Sequence, residues 1–234
     1  SRLREEFTRL AEERGLKDEP VQISARALTP QEAIGNPKDA DYPLLKGKER
    51  MMEAIFQGAR GQAFSDMCGE WSGRVSDILK MELADNFERA VFVSSLNAVM
   101  RSLGLIEKTV HCRDDGPQQC AAECLQLMYK ENPEARVLLI GHQPRMLERL
   151  SSYFHVSAID MDDDNIGKQF FGVTILDPEE TDRIIDHCDM LLVTGTTLVN
   201  ATISRFLDQK APAIFYGVTI AGAAKLLGLR RFCP

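Results

Sequence analysis

From Glu134 onward, short apolar runs recur between amphipathic stretches, and no other feature of the chain restricts its folding more. Val137–Ile140, Val156–Ile159, Val173–Leu176, Met190–Val193 and Ala213–Tyr216 are four residues each, too short for helices. A strand with one wet face alternates polar and apolar residues, whereas a strand buried on both faces does not. The runs therefore predict a parallel sheet with helices on both sides. Helical segments fall where that arrangement needs them, at Pro144–Tyr153, Leu198–Leu207 and Ile220–Leu227. A further start lies at Asp177-Pro178-Glu179-Glu180, with Asp177 as cap and Pro178 in the first position. This half reads as a compact Rossmann-like unit.

The first 105 residues have a different grain. Leu3, Phe7, Leu10 and Ala11 give an opening helix stopped at Gly15, and Val21 to Leu28 alternate as a strand. Pro30, Gly35, Asn36, Pro37 and Pro43 predict loop. Met51–Gln57 and Gln62–Asp66 predict a hairpin turning at Gly58-Ala59-Arg60-Gly61, and Glu70-Trp71 between two glycines predicts a loop. Helices follow near Arg74–Leu83 and Asn86–Leu103, the second with Phe92, Leu96, Val99 and Leu103 on one stripe. Strands followed by helices make a small α+β unit, so the expected division is residues 1–105 and 106–234, in an α/β protein.

Composition narrows the function. Of 234 residues, Lys and Arg number 28 against 35 Asp and Glu, a net charge of −7, and a binder of phosphate backbones would carry the opposite surplus. No apolar run approaches the roughly 18 residues of a membrane span, and no leader is evident. Neither nucleic acid nor membrane is expected as a partner. Six cysteines are too sparse for a disulfide scaffold, so free thiols in a reducing cytoplasm are expected. Self-association into a homodimer is the base-rate expectation.

Ligands of open parallel sheets bind where strands end and helices begin. Those ends are Gly141-His142-Gln143-Pro144, Asp160 with the acidic run to Asp164, Thr194-Gly195-Thr196-Thr197 with Asn200 beyond, and Gly217-Val218-Thr219. The first has one glycine where a dinucleotide fingerprint needs three, which disfavours NAD or FAD. Asp160 stands either where a ribose hydroxyl is commonly held or in a solvated acidic loop. Thr196 and Thr197 either meet an anion at a helix start or cap that helix. A second constellation is His111-Cys112 followed by Cys120 and Cys124, which a helix over Pro117–Tyr129 would place on one face. Imidazole and thiolate suit transition or heavy metals, although cysteine also serves as a small core residue. Cys112, His142 and Asp160 supply the types of a nucleophile, base and orienting acid, but nothing in the sequence brings them together.

The Ser95-Leu96-Asn97-Ala98 helix, Gly141 to Pro144 and the Thr194-Gly195-Thr196-Thr197-Leu198-Val199-Asn200 stretch resemble the heavy-metal-chelation domain family, a group of unknown function. The resemblance implies an enolase N-terminal-like domain fused to a Rossmann-like domain, with a site in the cleft between them. It implies Asn97, Gly141, Pro144, Gly195, Thr196, Thr197 and Asn200 as cleft residues. The leading expectation is a metal- or small-ligand-binding protein, acting in chelation or in synthesis of a metal-binding small molecule. The alternatives are an enzyme using a nucleotide or S-adenosylmethionine-like ligand, and a non-catalytic regulatory module.

Overall fold

A computed structural model describes residues 1–17, 22–38, 41, 42, 45 and 49–233. In chain order the elements are α1 (Arg2–Glu13), β1 (Gln22–Leu28), α2 (Pro30–Ile34), β2 (Arg50–Phe56), β3 (Ala59–Ser65), β4 (Trp71–Arg74), α3 (Val75–Lys80) and α4 (Asn86–Ser102). They continue with α5 (Gly116–Glu131), β5 (Arg136–Ile140), α6 (Pro144–Ser151), β6 (His155–Ile159), β7 (Gln169–Phe170) and β8 (Val173–Leu176). The chain closes with α7 (Thr181–Ile185), β9 (Met190–Thr194), α8 (Thr196–Val199), β10 (Ala213–Tyr216), α9 (Ala221–Leu227) and β11 (Arg231–Phe232).

Two sheets result. An antiparallel sheet runs β3-β2-β1-β4, and a seven-stranded sheet runs β11-β10-β9-β5-β6-β8-β7. The larger sheet is parallel except at its edge, where β7 pairs antiparallel with β8. Burial explains the apolar runs. Leu138, Ile140, Leu191, Val193 and Phe215 face one apolar cluster, while Val137, Leu139, Leu192 and Ile214 face a second, under α5 and α6. With no wet face, alternation has nothing to respond to. The α/β architecture with a parallel-rich sheet is the one expected.

The first cluster also holds Phe7, Met52, Phe56 and Leu96, so one core runs across the expected boundary at 105/106. At its centre lies α4. Every residue from Ala90 to Met100 is buried, because the helix has the small sheet on one side and α8 and α9 on the other. The single stripe read from the sequence understates this: a helix covered all round is apolar all round. Gly61 makes the packing against β3 feasible, since a Cβ there would lie 2.2 Å from the Ala98 nitrogen.

Several local expectations are corrected. The Pro30 segment is not all loop: Thr29 and Glu32 form a capping box around α2, with Pro30 in its first turn. The hairpin turn is tighter than expected, with Gln57 at φ 49° and Gly58 at φ 78°, which leaves Gly61 inside β3. Trp71 opens a strand rather than a loop, paired with β1. The helix expected over Leu198–Leu207 is broken: α8 ends at Val199, Ala201 takes φ 62°, and a 3-10 turn covers Ile203–Phe206. Strands β7 and β11 were not expected. Val21 and Pro43 lie outside the described residues. No helix among the described residues is long and apolar enough to cross a membrane.

Candidate functional site

The strand order of the larger sheet reverses between β5 and β9. From β5 the chain winds outward through β6 and β8, and from β9 through β10 and β11. Loops leaving the carboxyl ends of β5 and β9 diverge there and leave a crevice. Phe64 of the small sheet, Ile34 of α2 and the His111 segment also line it, giving a cleft of roughly 920 Å³ including its mouth. A second chamber of roughly 1260 Å³ adjoins it, sharing Glu49, Gly141, Asp160, Thr194 and Thr196.

The backbone at this switch point is fixed by side chains. Gly141 has φ 91°, and a Cβ there would lie 2.8 Å from Thr194 Cγ2, so glycine alone fits the turn. The buried Tyr216 hydroxyl reaches the carbonyls of Ile140 (3.1 Å) and Gly141 (3.2 Å), and burial raises its pKa. Asp160 Oδ2 accepts the His142 N–H (2.5 Å), and its Oδ1 accepts the Asp162 N–H (2.7 Å). Asp160 thus braces the loops after β5 and β6. Across the cleft, the Phe64 N–H donates to Thr219 Oγ1 (3.0 Å), tying the small sheet to the loop after β10.

The third strand end differs from expectation. Its helix, α8, is a single turn with no side-chain cap, so a helix dipole is not available there. The Thr197 hydroxyl bonds back to the Thr194 carbonyl (2.7 Å) and is buried. The Thr194 hydroxyl accepts the Thr196 N–H (3.3 Å) and donates to Thr196 Oγ1 (3.2 Å). Thr196 faces both chambers. Gly195 allows close contact with the next loop, because a Cβ would lie 2.8 Å from the Ile220 nitrogen.

The expected residues divide into four groups. Gly141, Asp160 and Thr196 line both chambers; Pro144, Gly195, His111, Cys112 and Cys120 line the first; Thr197 and Asn200 line the second. Asn97 and Cys124 line neither. Asn97 is fully buried: its Nδ2 reaches the carbonyls of Gln62 (3.0 Å), Val218 (3.1 Å) and Thr219 (3.3 Å), and its Oδ1 accepts the Gly222 N–H (2.7 Å). It joins the two sheets, is fully buried and lines neither chamber, which corrects its assignment to the cleft. Cys124 sits in the second apolar cluster, and burial pushes its thiol up to about 12, as for a core residue.

A buried polar chain sets His111 and Cys112 in place. Glu53 accepts from Gln62 Nε2 (2.7 Å), and Gln62 Oε1 accepts the His111 N–H (2.7 Å). The His111 ring stands edge-on to Phe64, centroids 5.3 Å apart, and burial lowers its pKa to about 4, so it is neutral at physiological pH. Its Nδ1 is buried without a hydrogen-bond partner. Among the described residues, however, no three His, Cys, Asp or Glu side chains are placed to hold a metal ion. The four-member set His111, Cys112, Cys120 and Cys124 is therefore not assembled, because Cys124 turns to the core behind the cleft wall. Cys112, His142 and Asp160 do line one cleft, which the sequence could not foresee.

Glu49 was missed, as were Phe64 and Cys233. Glu49 lines both chambers, and burial together with the charges of Asp160 and Asp162 raises its carboxyl to about 7. It lies next to a proline- and lysine-rich stretch with no periodicity. Only tertiary packing carries it to the strand ends.

Comparison with known proteins agrees with this architecture. Residues 123–227 match the family described as "putative heavy-metal chelation". A protein of unknown function from the DUF364 family of Pyrococcus horikoshii has a similar structure (TM-score 0.57, 15% identity), over 94% of this chain and 78% of that one. A second protein of unknown function from that family, from Desulfitobacterium hafniense DCB-2, gives a TM-score of 0.54 at 13% identity, over 76% of this chain and 72% of that one. No curated protein matches the sequence.

Proposed function

We propose that the crevice at the β5/β9 switch point is a binding site for a small molecule or a metal carried by one, serving metal handling. The observation that supports this most is the coincidence of that switch point with a walled cleft of roughly 920 Å³. Its lining suits such a cargo. Phe64, Ile34, Pro144 and Met146 offer apolar surface, while Thr196 and His142 offer a few polar groups near the strand ends. On this reading Gly141 keeps the floor open, Thr196 fixes the polar end of the ligand, and Asp160 with Tyr216 holds the loops.

The test is a thermal-shift screen of metal salts, organic carboxylates and their metal chelates, run on protein purified without chelator. At least one class should raise the melting temperature of the wild type. The shift should vanish in Thr196→Val, which changes a single hydroxyl, and in Gly141→Val, whose side chain would fill the turn. A shift that persists unchanged in both variants, or no shift in any class, would overturn the reading.

A further inference from the structure

The second chamber, roughly 1260 Å³ including its mouth, lies at the carboxyl ends of β5, β6 and β9, where Ile140, Ile159 and Thr194 line it. Its polar groups are lopsided. Hydroxyl protons in its lining are directed into the protein: Thr181 donates to the Pro178 carbonyl (2.6 Å), Thr197 to the Thr194 carbonyl (2.7 Å), Thr202 to Asn200 Oδ1 (2.7 Å) and Ser65 to the Asn86 carbonyl (3.3 Å). Thr196, at the junction with the first chamber, is the exception, since its oxygen accepts from Thr194. The side-chain amides donate inward as well, Asn86 to Asp66 Oδ1 (2.7 Å) and Asn165 to Asp160 Oδ1 (3.4 Å). Arg205, the one basic residue lining the chamber among the described residues, donates to Asp182 Oδ1 (3.0 Å) and to the Pro178 carbonyl (3.2 Å). What the lining leaves open is mostly acceptor: hydroxyl lone pairs and the carboxylates of Glu49 and Asp66.

We propose that the second chamber is a subsite for a primary ammonium group, so that the ligand of the crevice is an amine whose apolar part occupies the first chamber. The inference rests on the crevice reading and adds the charge and class of the ligand. An ammonium carries three donors and no acceptor, the complement of this lining. Glu49, at the junction of the two chambers, is its counter-charge. No described residue donates a hydrogen bond to Glu49, and its charged neighbours Asp160 and Asp162 are of like sign. A cation beside it therefore relieves a repulsion that the described residues leave unbalanced. The apolar part has its own surface, since Ile34, Phe64, Met146 and Val218 line the first chamber. The same inventory excludes an anionic end: a phosphate or carboxylate would meet like charge from Glu49 and Asp66, with Arg205 held by Asp182.

The test is isothermal titration of the full chain with three probes of one length: phenylpropylamine, phenylpropanol and phenylpropionate. The amine should bind at least about tenfold more tightly than the alcohol, the scale of one charge-assisted hydrogen bond, and the carboxylate should bind weakest. Glu49→Gln should erase the preference for the amine and leave the alcohol's affinity unchanged. The ranking of the three probes on the wild type needs no variant, so it decides even if Glu49→Gln misfolds. Amine and alcohol of equal affinity, a carboxylate that binds best, or an amine preference that survives in folded Glu49→Gln would overturn the subsite. Gly141→Val separates the two claims: alcohol binding that it abolishes, with no preference for the amine in the wild type, sinks the subsite and keeps the crevice. No binding by any of the three probes would also overturn the inference.

Discussion

Asn97 and Thr196 both have sequence neighbourhoods that point to a ligand, and the structure places them in opposite circumstances. Asn97 lies at the seam between α4, β3 and the loop after β10, with four hydrogen bonds to backbone groups and no exposure. Thr196 lies at a strand end, half-buried, facing two chambers and held only by its neighbour Thr194. A polar residue whose bonds all close within the protein stabilises the fold. One with capacity left over, in a crevice, is available to a ligand. The same contrast separates Cys124, sealed in a core, from Cys112 and Cys120, which line the cleft.

Substitutions at the seam should destabilise the protein, and substitutions at the rim should change only binding. Gly61→Val should have the largest effect. Its side chain would meet the backbone of α4, so a loss of about 3 kcal/mol or more is expected in chemical denaturation. Asn97→Leu should follow at about 3 kcal/mol, because it strands the Gly222 N–H and removes the partner of three carbonyls. If Asn97→Leu were as stable as the wild type yet failed to bind ligand, the contrast would be reversed.

The acid limb of stability gives a test between those extremes. His111 is held neutral by burial with a pKa near 4, against 6.5 in an unfolded chain, so the unfolded state takes up the proton first. Its contribution is complete above about pH 6.5 and is lost as the pH falls towards 4. Glu49 runs the other way. Its carboxyl is raised to about 7 from 4.5, so its contribution is complete below pH 4.5 and is lost as the pH rises through 7. Melting curves from pH 4 to 8 should show both slopes. His111→Gln should flatten the acid one and Glu49→Gln the neutral one. The smallest change in stability, within about 0.5 kcal/mol, is expected for Thr196→Val, which should nonetheless lose ligand response.

What the sequence discloses follows the same line between local and distant causes. β5, β9 and β10 were legible because burial on both faces leaves an unbroken apolar run that stops at Gly or Thr, and β6, interrupted by Ser157, was legible from Val156, Ala158 and Ile159 before Asp160. Strands β4, β7 and β11 were not, because segments of two to four residues are strands only by virtue of a neighbour. The capping box of α2 was present in Thr29 and Glu32 but hidden by the surrounding prolines. Gly141, Asp160 and Thr196 could be placed at the site because strand ends can be counted. Glu49, Phe64 and Cys233 reach it from the small sheet and the last strand, and no local pattern announces that meeting.

The central claim is that the crevice at the β5/β9 switch point, lined by Gly141 and Thr196, is where this protein holds its ligand. Crystals grown from chelator-free protein, with and without the ligand class that raises its melting temperature, test it most directly through difference density. The account predicts density between Gly141, Thr196 and the small sheet. Water alone in the crevice, with the ligand bound elsewhere on the molecule, would contradict it.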